Sequence, residues 1–255
     1  NLSIKTTLEG KTATTLVPSV HAMMSRKVAI TIPVPDAINK GSYGMQLSLY
    51  DGNKLIDSTT IAVTAVNQGE HASYTFVSKI DGSVQYYAVA PQTVPTKNPS
   101  LFFSVHGAEV EAISQARAYA PKAEGPVVAP TNRRPRGFNW EDWGRMDALE
   151  VLDIAKSRFS PDPQRVYLTG HSMGGHGTWY LGATYAGNWA AIAPCAGYPT
   201  LAEYGSHDGK VPTEATTDTK KLLIRASNTG NVINLSKNYK AGRITLFKSS
   251  FSLYA

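Results

Sequence analysis

The sequence predicts an α/β protein, a mostly parallel sheet covered by helices over residues 73–255, preceded by a β-rich module over residues 1–72. Three observations predict it. With 255 residues the chain has room for one large domain and a small one. A single cysteine, Cys195, leaves no internal disulfide framework and no cysteine-based metal cluster to organise the fold. Near Ser73 the spacing of apolar residues changes, from strands separated by turns to strands alternating with helices.

Residues 1 to about 66 read as strands. Val28–Ile32 runs ahead of Pro33, Met45–Tyr50 leads to a turn at Asp51, Gly52 and Asn53, and Thr60–Val66 alternates in part. Two or three strands rarely fold alone, so this module is expected to be an incomplete, immunoglobulin-like sandwich packed on the larger domain. A hairpin then pairs Tyr74–Ser78 with Val84–Ala90 around Asp81 and Gly82, which tolerate the positive φ of a tight turn. Beyond it the predicted order is strand Leu101–Val105, helix Glu109–Tyr119, strand Val127–Ala129 and helix Trp140–Phe159, closed by Pro161 and Pro163. Strand Arg165–Thr169, helix Gly175–Tyr185, strand Ala190–Pro194 and, further on, strand Arg243–Phe247 continue the series. Such alternation builds βαβ units with a parallel sheet.

Composition excludes several functions. Charged residues make up 17% of the chain, below the usual quarter or so, a balance that points to a secreted or periplasmic protein. No run of 18 apolar residues exists to span a membrane. The net charge of +6 is spread out. Only Arg133, Arg134 and Arg136 cluster, with no aromatic ladder to stack bases, so nucleic acid is not an expected partner. The chain opens at Asn1 without a leader-like stretch, which suggests a natural start that is missing or removed. No phosphate-loop or dinucleotide fingerprint calls for a cofactor. His171 and His176 are five apart rather than the three or four that share a helical face, so no metal is expected.

One constellation carries chemistry. Gly170-His171-Ser172-Met173-Gly174 fits G-x-S-x-G, a short pattern made specific by its context, because an apolar strand runs into it and a helix with a glycine-rich first turn runs out. A serine at such a strand-to-helix turn is held in a strained conformation with its hydroxyl exposed, and the flanking glycines let strand and helix approach. The Met173 N–H, opening the helix, faces the oxygen that becomes negative when Ser172 attacks a carbonyl. A second donor is expected from the loop after Leu101–Val105, at the N–H of Gly107 or Ala108, with His106 beside it. Both loops would then share the carboxyl edge of the sheet.

Phe102–Gly107 (FFSVHG), Ala129–Pro135 (APTNRRP), Trp140–Asp147 (WEDWGRMD) and Tyr167–Trp179 (YLTGHSMGGHGTW) together resemble the α/β-hydrolase superfamily, closest to bacterial prolyl-oligopeptidase-like and polyhydroxybutyrate-depolymerase-like serine esterases. The resemblance covers about half the chain. It implies a three-layer α/β sandwich and acyl transfer through a serine ester, with Ser172 as nucleophile and Met173 as the first oxyanion donor. The substrate it implies is a carboxylic ester or a peptide, free or linked to carbohydrate. The superfamily places its acid and histidine after the serine, and Lys248–Ala255 holds neither. The expectation is a hydrolase domain cut short after about its seventh strand. Asp208 is the remaining candidate acid; its neighbour His207 is poorly placed as base, since adjacent residues rarely point at one another. A non-catalytic binding protein on the same fold is the rival reading.

Other residues keep two readings. Arg133 and Arg134, like His106 and His171, can contact substrate, though solvated loop arginines and a packing role for His171 are the simpler accounts. Trp140 and Trp143 either line an aromatic wall or pack in the core, with core favoured. Asp142 and Asp147 are explained by the helix start and Arg145, and Cys195 reads as a small buried hydrophobe.

Overall fold

The computed structural model describes residues 2–23, 28–133 and 140–197, and the backbone of three short strands beyond. The chain forms two compact units, Asn1–Glu70 with Thr75–Gln85, and His71–Tyr74 with Tyr86–Ala255.

The first unit is built on a four-stranded antiparallel sheet: β1 (Leu2–Leu8), β2 (Lys11–Leu16), β3 (Gly41–Asp51) and β4 (Lys54–Ala65), in the order β2-β1-β3-β4. Gly10 and Gly52 turn the two hairpins with φ of 78° and 55°, the left-handed region that glycine enters without penalty. Leu8, Met45, Thr6 and Ser48 are the buried side chains of this sheet. The strand expected at Val28–Ile32 is absent. Pro33 and Pro35 remove two backbone donors there. Thr31 is instead tied by hydroxyl groups, its N–H donating to Thr15 Oγ1 and its carbonyl accepting from Thr6 Oγ1.

The larger sheet has six strands: β5 (Ala72–Val77), β6 (Val84–Ala90), β7 (Leu101–Val105), β8 (Val127–Pro130), β9 (Val166–His171) and β10 (Ala191–Cys195). Their order is β10-β9-β7-β8-β6-β5; β8, β7, β9 and β10 run parallel and β6 runs antiparallel to β8. Helices α1 (Ala112–Arg117), α2 (Trp143–Phe159) and α3 (Met173–Thr184) make the crossovers β7→β8, β8→β9 and β9→β10. This is the α/β-hydrolase architecture the motifs predicted. From β7 the chain steps to one side, and from β9 to the other. Right-handed crossovers therefore place α1 on one face and α2 and α3 on the opposite face, and the crevice between the ends of β7 and β9 is the topological switch point where ligands bind in open sheets.

The side chains of β7 show both faces. Ser104 turns to the α1 side, where Gln115 Nε2 donates to its Oγ at 2.7 Å and the Tyr119 hydroxyl lies 2.9 Å away. Phe103 turns the other way, its ring 5.8 Å from that of Trp189. Ala88, Ala112, Ala116 and Ala129 let α1 sit close on the sheet.

Two helices start later than their sequence pattern suggested. Glu109 has a φ of 60° and Glu111 is extended, so α1 begins only at Ala112. Asp142 is non-helical, and α2 begins at Trp143 rather than Trp140. It ends on Ser160 in the left-handed conformation, immediately before Pro161. The strand expected at Arg243–Phe247 corresponds to β12 (Thr245–Lys248), which pairs antiparallel with β11 (Val232–Asn234) and β13 (Phe251–Ser252) instead of extending the parallel sheet.

Candidate active site

Ser172 lies between the last residue of β9 and the first of α3. Its φ of 57° and ψ of −119° fall outside the helical and extended regions, a strain that persists only where the surroundings over-determine it. Those surroundings are close. A methyl group on Gly174 would lie 2.0 Å from the Val105 carbonyl oxygen, and one on Gly170 would lie 2.4 Å from the Gly174 oxygen. The Ser172 N–H donates to the Cys195 carbonyl at 2.9 Å, and its own carbonyl accepts from His176 N at 3.0 Å. The elbow is thus held by β7, β10 and α3 together. Ser172 stays partly exposed while Met173, opening α3, is buried.

The loop after β7 meets the elbow. A methyl group on Gly107 would sit 3.8 Å from Ser172 Cβ and 3.3 Å from the His171 carbonyl oxygen. Register explains this, because Val105 pairs with Gly170 at the ends of adjacent parallel strands. Gly107 is buried and Ala108 exposed.

The histidines are used in different ways. His106 is fully buried; its Nδ1 lies 2.7 Å from the Gly107 carbonyl oxygen and its ring meets Trp140 edge to face at 5.0 Å. Burial depresses its pKa, outweighing the backbone carbonyls of Gly107 and Thr131, which favour the charged ring. His176, one turn into α3, places Nε2 2.6 Å from Glu141 Oε1. His171 is exposed at the end of β9. No histidine among the described residues hydrogen-bonds Ser172 Oγ, and no group of His, Cys, Asp and Glu among them is arranged to hold a metal. Asp208, His207 and Arg134 lie outside the described residues.

Several side chains depart from the sequence reading. Arg133 is not a solvated loop arginine: its side chain is 7% exposed, Nη1 lies 3.4 Å from Glu150 Oε2, and its guanidinium stacks 5.4 Å from the Trp143 ring centroid. Trp140 is core, at 0% exposed, as favoured, whereas Trp143, the first residue of α2, is not and is 52% exposed. Asp147 does not serve the helix start or Arg145. It is fully buried and its Oδ2 accepts from Thr131 N and Oγ1, holding the turn after β8. Burial pushes its pKa up to about 6, against the lowering effects of Arg133 and Thr131. Cys195 is exposed. The ties made by Trp140, Glu141 and His176 left no sequence signal, for each joins residues 34 or 35 apart with no shared period.

Residues 110–246, more than half the chain, match the Esterase family. The chain belongs to that family. Its place among α/β-hydrolase-like serine esterases thus rests on the family match, the strand order and the elbow. The chain is 31% identical over 122 residues to a bifunctional acetylxylan esterase/xylanase of Neocallimastix patriciarum, covering 44% of this chain and 17% of that protein. It is 31% identical over 134 residues to poly(3-hydroxyalkanoate) depolymerase C of Paucimonas lemoignei, covering 46% and 32%. The chain therefore spans less than a third of either relative. Among solved structures, the fluorophosphonate-binding serine hydrolase FphF of Staphylococcus aureus is 19% identical with a TM-score of 0.48, covering 64% of this chain and 75% of that one. Likeness at that score is too distant to bear on the site.

Proposed function

We propose that this member of the Esterase family hydrolyses carboxylic esters through an acyl-serine intermediate, with Ser172 as nucleophile and an oxyanion hole formed by Met173 N–H and the N–H of Gly107 or Ala108. The observation that carries this is the meeting of a strained Ser172 at the start of α3 with Gly107 at the end of the neighbouring strand. Ser172 Oγ bonds to the ester carbonyl carbon and its proton passes to a base. Negative charge gathers on the carbonyl oxygen, where preorganised N–H donors stabilise it at no reorganisation cost. Collapse expels the alcohol, and water then releases the acid from the serine by the same route. Asp208 is the chain's candidate acid. The names of the two curated relatives suggest ester groups on polysaccharide or polyester, and the low charged fraction suggests work outside the cytoplasm.

The test is turnover of a p-nitrophenyl ester together with labelling by a fluorophosphonate, read by intact mass. The expected result is a single adduct on Ser172 that disappears in Ser172→Ala while the melting temperature stays within a few degrees. Because no described histidine engages Ser172, a binding protein without catalysis is the second reading. A folded chain that neither turns over ester nor labels would contradict the enzyme reading.

A further inference from the structure

We infer that Trp140 is a positioning residue for the oxyanion hole, its indole N–H fixing the peptide that carries the Gly107 N–H. The inference rests on the function proposed above. Trp140 Nε1 donates to the His106 carbonyl at 3.1 Å in a fully buried site. That carbonyl and the Gly107 N–H belong to one planar trans peptide, so holding the oxygen sets the direction of the N–H on the opposite side. A peptide in a glycine loop can rotate with little steric penalty, because Gly107 has no Cβ to resist it. Holding the oxygen opposes a flip that would turn a donor into an acceptor facing the reacting oxygen.

The tryptophan is itself fixed to the nucleophile's helix. A methyl group on Gly177 would lie 2.5 Å from the indole ring, so Trp140 packs directly on α3 one turn beyond the elbow. The next residue, Glu141, reaches the same helix through His176. The following peptide is held in the same manner, with His106 Nδ1 on the Gly107 carbonyl, and this ring rests against Trp140. One side chain therefore ties the loop after β7 to the helix after β9, the two elements that must keep their spacing to within a fraction of an ångström for donors and nucleophile to act on the same carbonyl.

The experiment compares fluorophosphonate labelling of Ser172 in wild type, in Trp140→Phe, and in two shape-matched replacements of Trp140. 3-Benzothienylalanine keeps the bicyclic ring without the N–H, and 7-azatryptophan keeps both. The maximal labelling rate is expected to fall at least about tenfold with benzothienylalanine and with phenylalanine, with half-saturating probe concentration changed less than about twofold, and to return with 7-azatryptophan. The Gly107 amide proton, followed by ¹⁵N-edited NMR, should shift in the benzothienylalanine protein and not in the azatryptophan one. Should phenylalanine destabilise the core, the shape-matched pair still decides. Equal rates with and without the indole N–H overturn the inference alone. A wild-type chain that never labels overturns the proposed function, and the inference with it.

Discussion

Asp147 illustrates how one buried group makes stability depend on pH. Its pKa is near 6 in the folded chain against 3.8 for the free side chain. Below pH 4 it is protonated whether the chain is folded or not. Between pH 4 and 6 only the folded state holds the proton, so stability falls as pH rises through that window, by roughly 3 kcal/mol in all. Asp147→Asn keeps an acceptor for Thr131 and cannot ionise. Urea midpoints of the two proteins are expected to agree near pH 4 and to separate above pH 6, with the variant the more stable; parallel profiles would show that Asp147 stays charged at all these values. This group was visible in the sequence only as an acid near a helix start. What fixes it, the turn at Thr131, is a contact between distant segments that no local pattern encodes. The same holds for Arg133, whose burial depends on Glu150 and the exposed face of Trp143. By contrast Ser172 was legible, since its strain comes from a turn written in five consecutive residues.

Among elements, the strand-turn-helix unit of β9 and α3 is the stiffest demand the sequence makes. The Val105 carbonyl faces Gly174 as backbone, not as a side chain able to move aside. Gly174→Ala is therefore expected to cost more than the roughly 1–3 kcal/mol of ordinary overpacking, lowering the melting temperature by about 5 °C or more and abolishing labelling of Ser172. Gly187→Ala is the control. Nothing lies within 4 Å of a methyl group there, and its stability should change by less than about 0.5 kcal/mol. A Gly174→Ala protein as stable as that control would mean that β7 and α3 are not in contact. Strands and helices of this unit were predictable because apolar period and turn residues agree. The expected strand at Val28–Ile32 failed for the opposite reason, an apolar run whose prolines deny it a ladder. The late starts of α1 and α2 followed from single residues, Glu109 and Asp142, whose conformations are set by their neighbours in space.

At the scale of the molecule, topology does what no single residue can. The reversal of strand order between β7 and β9 brings His106-Gly107 and Ser172 together across 66 residues, and the sequence conveyed it through strand ends and handedness rules alone. An oxyanion hole of backbone N–H groups needs no metal, so dialysis against EDTA should leave ester turnover unchanged within about twofold, and a tenfold loss would assign the electrophile to a bound cation. Everything proposed for this site requires Ser172, Met173 and the loop at Gly107 to act on one oxygen, and a crystal structure of the fluorophosphonate adduct would show that oxygen in place. The phosphonyl oxygen is expected within about 3 Å of Met173 N and of Gly107 or Ala108 N. An adduct on Ser172 with that oxygen turned to solvent, away from both backbone donors, would contradict the proposed oxyanion hole.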